Sequence, residues 1–269
     1  MKFSKEFAVK PGKTVKLSRY DPDYTAGFKD KSEAEELLQK KIARLDELQN
    51  LLFAERKHAL LVVLQAMDSG GKDGTIRRVM SGVNPQGCEV TSFKAPSAEE
   101  ASHDFLWRVH HAVPARGEIG IFNRSHYEDV LVVRVHHLVP RPVWSRRYEQ
   151  INAFEQILAE NGVKILKFFL HISKDEQKKR LRERIEVPEK NWKVNPGDFD
   201  ERKLWNQYME AYQDALSRCS TERAPWFVIP ANKKWLRNLA VSAIIVEALE
   251  SLDMKFPAPP CDLSKLILK

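Results

Sequence analysis

Leu60-Leu61-Val62-Val63-Leu64-Gln65-Ala66-Met67-Asp68-Ser69-Gly70-Gly71-Lys72-Asp73-Gly74-Thr75 is an apolar run that stops abruptly in a glycine-rich turn carrying a lysine. It reads as a buried strand feeding a phosphate-binding loop. The spacing from Ala66 to Gly71-Lys72 is that of a P-loop, although Ala66 replaces the leading glycine and Asp73 stands where a Ser or Thr would hold magnesium. Gly70, Gly71 and Gly74 let backbone N–H groups turn inward, and the following helix presents the positive end of its dipole to an anion. Lys72 adds a full charge at that point. Asp68 would repel a phosphate unless a divalent cation lay between them, so it is read as a metal-binding or acceptor-orienting residue. Ser69, Asp73 and Thr75 complete the expected phosphate and nucleotide cradle. The competing reading, a plain Gly/Asp/Ser turn with a solvated lysine, fits less well with a strand before it and a helix after it.

Outward from this loop, apolar segments alternate with amphipathic ones, the pattern of βα units on a parallel sheet. Strands are expected at Ala59–Ala66, Glu89–Phe93, Glu118–Phe122, Ile165–Ile172 and Trp226–Pro230. Helices are expected at Gly74–Met80, Ala98–Val113, Trp144–Glu160, Lys174–Ile185, Asp200–Cys219 and Lys233–Leu252. A further long helix, capped by Ser32 and running to about Arg56, carries Leu37, Leu38, Ile42, Leu45, Leu48, Leu51 and Leu52 at helical spacing, a stripe for core or subunit packing. The fold class that follows is α/β: a three-layer α/β/α P-loop kinase fold with a five-stranded parallel sheet and a helical lid. Residues 1–30 are expected to form an arm on the body or on a neighbouring subunit. Residues 31–255 are expected to form the P-loop domain, with the lid at about 174–200, and 256–269 a loose tail. Ligands of such sheets bind beyond the carboxyl ends of the strands, where Asp68, Lys94, Asn123, Arg124 and Ser173 would converge.

The 269 residues carry a formal net charge of +7, which suggests a polyanionic partner without saying which. Cys88, Cys219 and Cys261 are far apart in the chain, against a disulfide framework or a zinc site and in favour of a reducing cytoplasm. No apolar signal segment opens the chain and no apolar stretch would span a bilayer, so a cytoplasmic protein with no membrane partner is expected. The paired histidines His110-His111 and His136-His137 have no acidic partner at ligand spacing and read as solvated or capping side chains.

Two further constellations carry chemistry. In Ile119-Gly120-Ile121-Phe122-Asn123-Arg124-Ser125-His126-Tyr127-Glu128-Asp129, an apolar strand delivers polar residues to the rim of the sheet. There Glu128 can supply a second metal-binding carboxylate, Asn123 a weak ligand, and Arg124 a fork for a phosphoryl group. The same residues would also serve as a helix start, with Asn123 or Ser125 as cap. In Ser173-Lys174-Asp175-Glu176 and onward, Arg180 and Arg184 share one helical face at i,i+4 spacing, like charges that make sense with an anion between them. Such a helix beside a P-loop suggests a lid that supplies arginines to the transition state, rather than a merely solvated basic helix. Trp192, Trp205, Tyr208, Trp226 and Trp235 include possible base-stacking platforms, most of them core or lid packing.

Together these blocks resemble the polyphosphate kinase 2 family, P-loop enzymes that use inorganic polyphosphate to phosphorylate nucleotides. Further matches are Phe105-Leu106-Trp107-Arg108, Trp192-Lys193 and Ala224-Pro225-Trp226. Many members have Asp-Arg-Ser-Trp-Tyr-Asn in the second block; here Asn123 and Glu128 exchange the acidic and amide positions and His126 replaces Trp. That exchange resembles class III, whose members phosphorylate both AMP and ADP, and it moves the metal role to Glu128. The resemblance implies Mg2+ held by Asp68 and Glu128, and transition-state charge neutralised by Lys72, Arg124, Arg180 and Arg184. It also implies a polyphosphate track or nucleotide site drawing on Arg77, Arg78, Lys94, Arg108, Arg134 and Lys193, and a homo-oligomer, dimer or tetramer. Expected partners are polyphosphate, AMP, ADP and ATP, with no specific nucleic acid. The rival readings are an ATP-dependent nucleoside monophosphate kinase and a nucleotide-gated nucleic-acid-binding protein.

Overall fold

The structure, a computed structural model, describes residues 2–266. In chain order its first half contains α1 (Phe3–Phe7), α2 (Lys31–Glu55), β1 (Ala59–Gln65), α3 (Lys72–Val79), β2 (Cys88–Ser92), α4 (Ala98–Ser102), α5 (Trp107–His111), β3 (Ile119–Asn123) and α6 (Val132–Val135). The second half contains α7 (Arg141–Glu160), β4 (Val163–His171), α8 (Lys174–Glu186), α9 (Gly197–Lys203), α10 (Trp205–Cys219), β5 (Trp226–Pro230) and α11 (Lys234–Glu250). The strands form one five-stranded sheet in the order β2-β3-β1-β4-β5. Every pairing is parallel, Leu60 opposite Ile119 on one side of β1 and opposite Lys164 on the other.

β1 is buried at every position, as a central strand covered on both faces must be, and this is why its sequence runs apolar without alternation. On one side of the sheet α2 packs along α11, and most of the leucine stripe of α2 is buried there within the chain itself. Chain order along the sheet reverses between β3-β1 and β4, so the loops after these strands open a crevice at their carboxyl ends. Among the described residues no helix is long and apolar enough to cross a membrane.

Several local features differ from the sequence expectation. Asp30, not Ser32, caps α2: its carboxylate accepts from the N–H groups of Ser32 at 2.8 Å and Glu33 at 3.2 Å, which starts the helix at Lys31. The expected single helix Ala98–Val113 is two short ones. Ser97 and Glu100 form a reciprocal capping box on α4, and His103 then turns extended. Asp104 next accepts from the Leu106 N–H at 2.9 Å and begins a second helical segment, so two competing start signals divide one apolar pattern. Asp200–Cys219 likewise divides at Leu204 into α9 and α10.

The first residues lie against the body. Val9 donates its N–H to Trp226 O at 2.8 Å, and Ala8 makes an antiparallel bridge to Phe227, so the arm covers the exposed edge of β5. His171, at the end of β4, is buried near this arm. Burial pushes its imidazole down to about 4, against a smaller upward pull from Tyr20 and Asp21. The unfolded chain therefore takes up the proton first, and stability is complete above the ordinary histidine range and lost as pH falls through it towards 4. We expect denaturant unfolding to show a loss of about 2 kcal/mol between pH 7 and pH 5 attributable to this group. His171→Gln should flatten that part of the pH profile; an unchanged profile would remove His171 as its source.

Candidate active site

The loop after β1 is shaped by close approach. A Cβ on Gly70 would meet the Ala66 Cβ at 2.5 Å and Met67 O at 2.7 Å. Gly71 caps α3 with φ +104°, a conformation that side chains rarely adopt, and a Cβ there would run into the Arg237 guanidinium. Gly70 N–H donates to Met67 O at 2.9 Å, and Thr75 is the first residue of α3 whose N–H finds a backbone acceptor within the turn, on Gly71 O at 2.9 Å. The amides of the first helical turn thus border the crevice with the dipole behind them. Lys72 is buried, and its Nζ donates to Ala66 O at 3.0 Å, folding the ammonium back over the loop. Burial and the neighbouring Arg124 push the lysine pKa down, opposed by Asp68, Glu128 and Asp73.

The end of β3 supplies the facing wall. Arg124 has φ +62°, held there by its N–H on Leu64 O at 3.1 Å, and the kink turns its guanidinium onto Asp68 Oδ1 at 2.8 Å. Burial works against the Arg124 charge, yet Glu128 and Asp68 raise its pKa. Asn123 donates to Asp73 Oδ1 at 2.8 Å, joining the two loops a second time. Glu128 is partly buried; desolvation lifts its carboxyl above the usual range, opposed by Arg124 and Lys72. Asp68, Lys72, Arg124 and Glu128 therefore form one electrostatic cluster across two strands.

α8 closes the third side. Ser173 caps it, accepting from Glu176 N–H at 3.1 Å, but the Glu176 carboxylate turns to Arg180 Nε at 2.7 Å. The terminal nitrogens of Arg180 donate to Ser69 O and Gly70 O, each at 3.1 Å, and to Ala231 O at 2.6 Å and Asn232 O at 3.1 Å. All the donors of this guanidinium are engaged by protein acceptors, so Arg180 clamps the P-loop to the end of β5. Arg184 pairs with Asp198 at 2.7 Å and donates to Lys193 O at 3.2 Å. The crowding of two like charges on α8 is thus relieved by Glu176, Asp198 and carbonyl oxygens, with no anion required.

These elements enclose a cleft of about 820 Å3. Of the residues singled out from sequence, Asp68 to Gly74, Lys94, Asn123, Arg124, Arg180, Arg184, Trp192 and Lys193 line it. Glu128 is not among the lining residues and acts on the cleft through its electrostatic interaction with Lys72 and Arg124. Thr75 is buried and donates its hydroxyl to Gly71 O at 3.0 Å, so it braces the helix start. Four arginines are not brought in. Arg77 is exposed on α3, and Arg78 pairs with Glu35 of α2. Arg108 donates to Lys94 O at 2.9 Å, and Arg134 pairs with Asp214 at 2.6 Å beneath α10.

Sequence reading missed Arg237, Lys234, Lys190 and Asp198, which also line the cleft. Arg237 is buried, and its Nε and Nη2 are satisfied by Asn238 while Nη1 faces Gly71. Burial, with Arg180 beside it, pushes Arg237 down to about 9. The available signal was a charged residue near the start of the largely apolar helix Lys234–Glu250. Among the described residues no group of three or more His, Cys, Asp or Glu is gathered as a metal cage. The donor set instead suits Mg2+, which keeps several waters and needs only one or two carboxylates beside substrate phosphates. Asp68, which lines the cleft, fits that requirement; Glu128, within electrostatic reach of Asp68, is the candidate second carboxylate although it does not itself line the cleft.

The sequence model of a family described as polyphosphate kinase 2 matches residues 28–257. An AMP/ADP-polyphosphate phosphotransferase of Meiothermus ruber is 55% identical over 266 residues, covering 98% of this chain and 100% of that one. An ADP-polyphosphate phosphotransferase of Rhodopseudomonas palustris is 48% identical, over 94% of this chain and 92% of the other. The crystal structure of polyphosphate kinase 2 from Arthrobacter aurescens TC1 superposes with a TM-score of 0.94 at 45% identity, covering 98% of this chain and 94% of that one. The family match over residues 28–257, the near full-length relatives and the superposed fold agree, and the chain belongs to the polyphosphate kinase 2 family.

Proposed function

We propose that the protein transfers the terminal phosphoryl group of inorganic polyphosphate to AMP and to ADP, giving ADP and ATP. The observation that carries this reading is a P-loop whose mouth holds a carboxylate, Asp68, paired with Arg124 and faced by basic side chains from α8, the segment after it and α11. Such a site neutralises a long phosphate chain and leaves a place for a cation at the point of transfer. The names of the Meiothermus and Rhodopseudomonas relatives support polyphosphate as donor, and the Asn123/Glu128 exchange supports acceptance of AMP as well as ADP.

In the proposed reaction an acceptor phosphate oxygen, already ionised at neutral pH, attacks the terminal phosphorus of the donor in line. One P–O bond forms to the nucleotide, and the bridging P–O bond to the rest of the chain breaks. The shortened polyphosphate leaves with that bridging oxygen, so no general base is needed. Lys72, Arg124 and Arg184 face the transferring group and stabilise charge on its oxygens, while Arg180 holds the P-loop in shape for them. Asp68 and Glu128 would hold Mg2+, which when bound neutralises negative charge on the phosphates. Residues 174–200 act as the lid, and Lys94, Lys190, Lys193, Lys234 and Arg237 extend the basic track. The free cysteines Cys88, Cys219 and Cys261 support a reducing cytoplasm as the site of action. The expected dimer or tetramer would have to use surfaces other than the α2 stripe, which α11 already covers.

The test is direct. Purified protein, Mg2+, polyphosphate and either AMP or ADP should yield ADP or ATP by chromatography. If polyphosphate gives no product while ATP phosphorylates AMP, the reading is replaced by that of an ordinary monophosphate kinase.

A further inference from the structure

Beneath the sheet rim lies a charged cluster that the reaction described above does not use. Lys167 of β4, Glu155 of α7, and His126 and Tyr127 of the turn after β3 are each no more than 1% exposed. Lys167 Nζ pairs with a Glu155 carboxylate oxygen and donates to Tyr127 Oη at 2.8 Å and Cys219 O at 2.6 Å. The other Glu155 oxygen accepts from Tyr127 Oη at 2.9 Å and lies 3.2 Å from His126 Nε2. Tyr127 also packs edge-on against Trp226 at 4.7 Å, tying the turn to β5.

An ion pair this deep is a poor source of stability, because desolvating both charges offsets most of their attraction. Its position suggests another use. His126 and Tyr127 stand between Arg124 and Glu128 in a turn of only a few residues. Arg124 is held at positive φ, and Glu128 N–H is bonded back to Ser125 O at 3.0 Å. Ser125 in turn accepts from Gln65 Nε2 at 3.1 Å, at the start of the P-loop. Fixing the two side chains between Arg124 and Glu128 fixes the direction in which both project.

We propose that Lys167 and Glu155, acting through His126 and Tyr127, are positioning residues that hold Arg124 and Glu128 in register with the P-loop. The inference rests on Arg124 and Glu128 serving phosphoryl transfer. A misplacement of about 1 Å at such groups is enough to lower turnover by one or two orders of magnitude.

The test compares three full-length variants with wild type: the volume-conserving pair Lys167→Met/Glu155→Leu, Tyr127→Phe, and the buried control Leu158→Ala on α7. Each is measured for thermal midpoint, kcat, KM for polyphosphate and the Mg2+ concentration giving half the maximal rate. The expected result is that the double variant loses kcat at least ~10-fold and needs more Mg2+. Its KM for polyphosphate should stay within about twofold of wild type, since the basic track is untouched. Tyr127→Phe should lose kcat in the same direction by a few fold, and Leu158→Ala should lower the midpoint and leave kcat alone. A folded double variant with wild-type kcat and Mg2+ dependence would overturn the inference. Should the double variant not fold, Tyr127→Phe decides it: wild-type kcat and Mg2+ dependence there also overturn it. A wild-type protein without polyphosphate-dependent activity would instead strike at the proposed reaction.

Discussion

Lys72→Ala should lower kcat for polyphosphate-dependent phosphorylation of ADP by about 10^3-fold or more, with little change in thermal midpoint. Lys72 brings a positive charge to the crevice through a buried stem, and among the described residues its ammonium donates to one protein acceptor, Ala66 O. Arg180 and Arg237 cannot substitute for it, since Arg180 is fully engaged by protein acceptors and Arg237 is wedged against Gly71. A charge held in a low-dielectric site is worth far more to a developing phosphoryl transition state than the same charge in water. The loop itself does not depend on Lys72, because Gly70 N–H on Met67 O and the Arg180 bonds hold its shape. Lys72→Arg is not expected to restore activity, as a planar fork cannot replace a compact ammonium folded over Ala66 O. Kinetics together with a melting curve check this; near wild-type kcat in folded Lys72→Ala would remove the lysine from the mechanism.

The same residues show how far sequence alone reaches. The P-loop was legible because its strand, glycines, lysine and helix are contiguous, and each is a local demand of backbone geometry. The second block was legible because an apolar strand ending in charge has few places to go in a parallel sheet. Arg180 was legible as a basic residue on a helix beside the P-loop, but the partners of its donors were not. Four carbonyls from two loops far apart in the chain engage it, and no pattern within α8 encodes them. Arg78 and Arg134 were misleading for the opposite reason: they follow the P-loop and the second block within a few residues, but their helices turn them to Glu35 and Asp214. The division of Ala98–Val113 was hidden because Asp104 reads equally well as an exposed helical residue and as a new cap. Arg237 was hidden in a helix whose other residues are almost all core. Local signals identified the elements; long-range carbonyl and carboxylate partners decided which charges remain available for a substrate.

Asp68→Asn should reduce kcat by about 10^2-fold to 10^3-fold and raise the Mg2+ concentration needed for half the maximal rate by at least ~10-fold. The substitution is nearly isosteric. An amide oxygen can still accept from Arg124 at the 2.8 Å position of Oδ1, and the Asp68 backbone stays held by Gln177 Nε2, which donates to its carbonyl at 3.0 Å. What disappears is one negative charge from a cluster of two carboxylates and two cations. In the proposed site Glu128 would then have to hold the cation alone, from a partly buried position where desolvation already disfavours its charge. If Asp68 served only to orient Arg124, the retained acceptor would preserve most of the rate and the Mg2+ requirement would not move. A titration of rate against Mg2+ for wild type and Asp68→Asn separates the two roles. A large fall in kcat with unchanged Mg2+ dependence would assign Asp68 to acceptor orientation, and wild-type values of both would exclude it from the site's chemistry. The expected shift in both is the signature of a carboxylate in a phosphate cradle that works only with a cation between them.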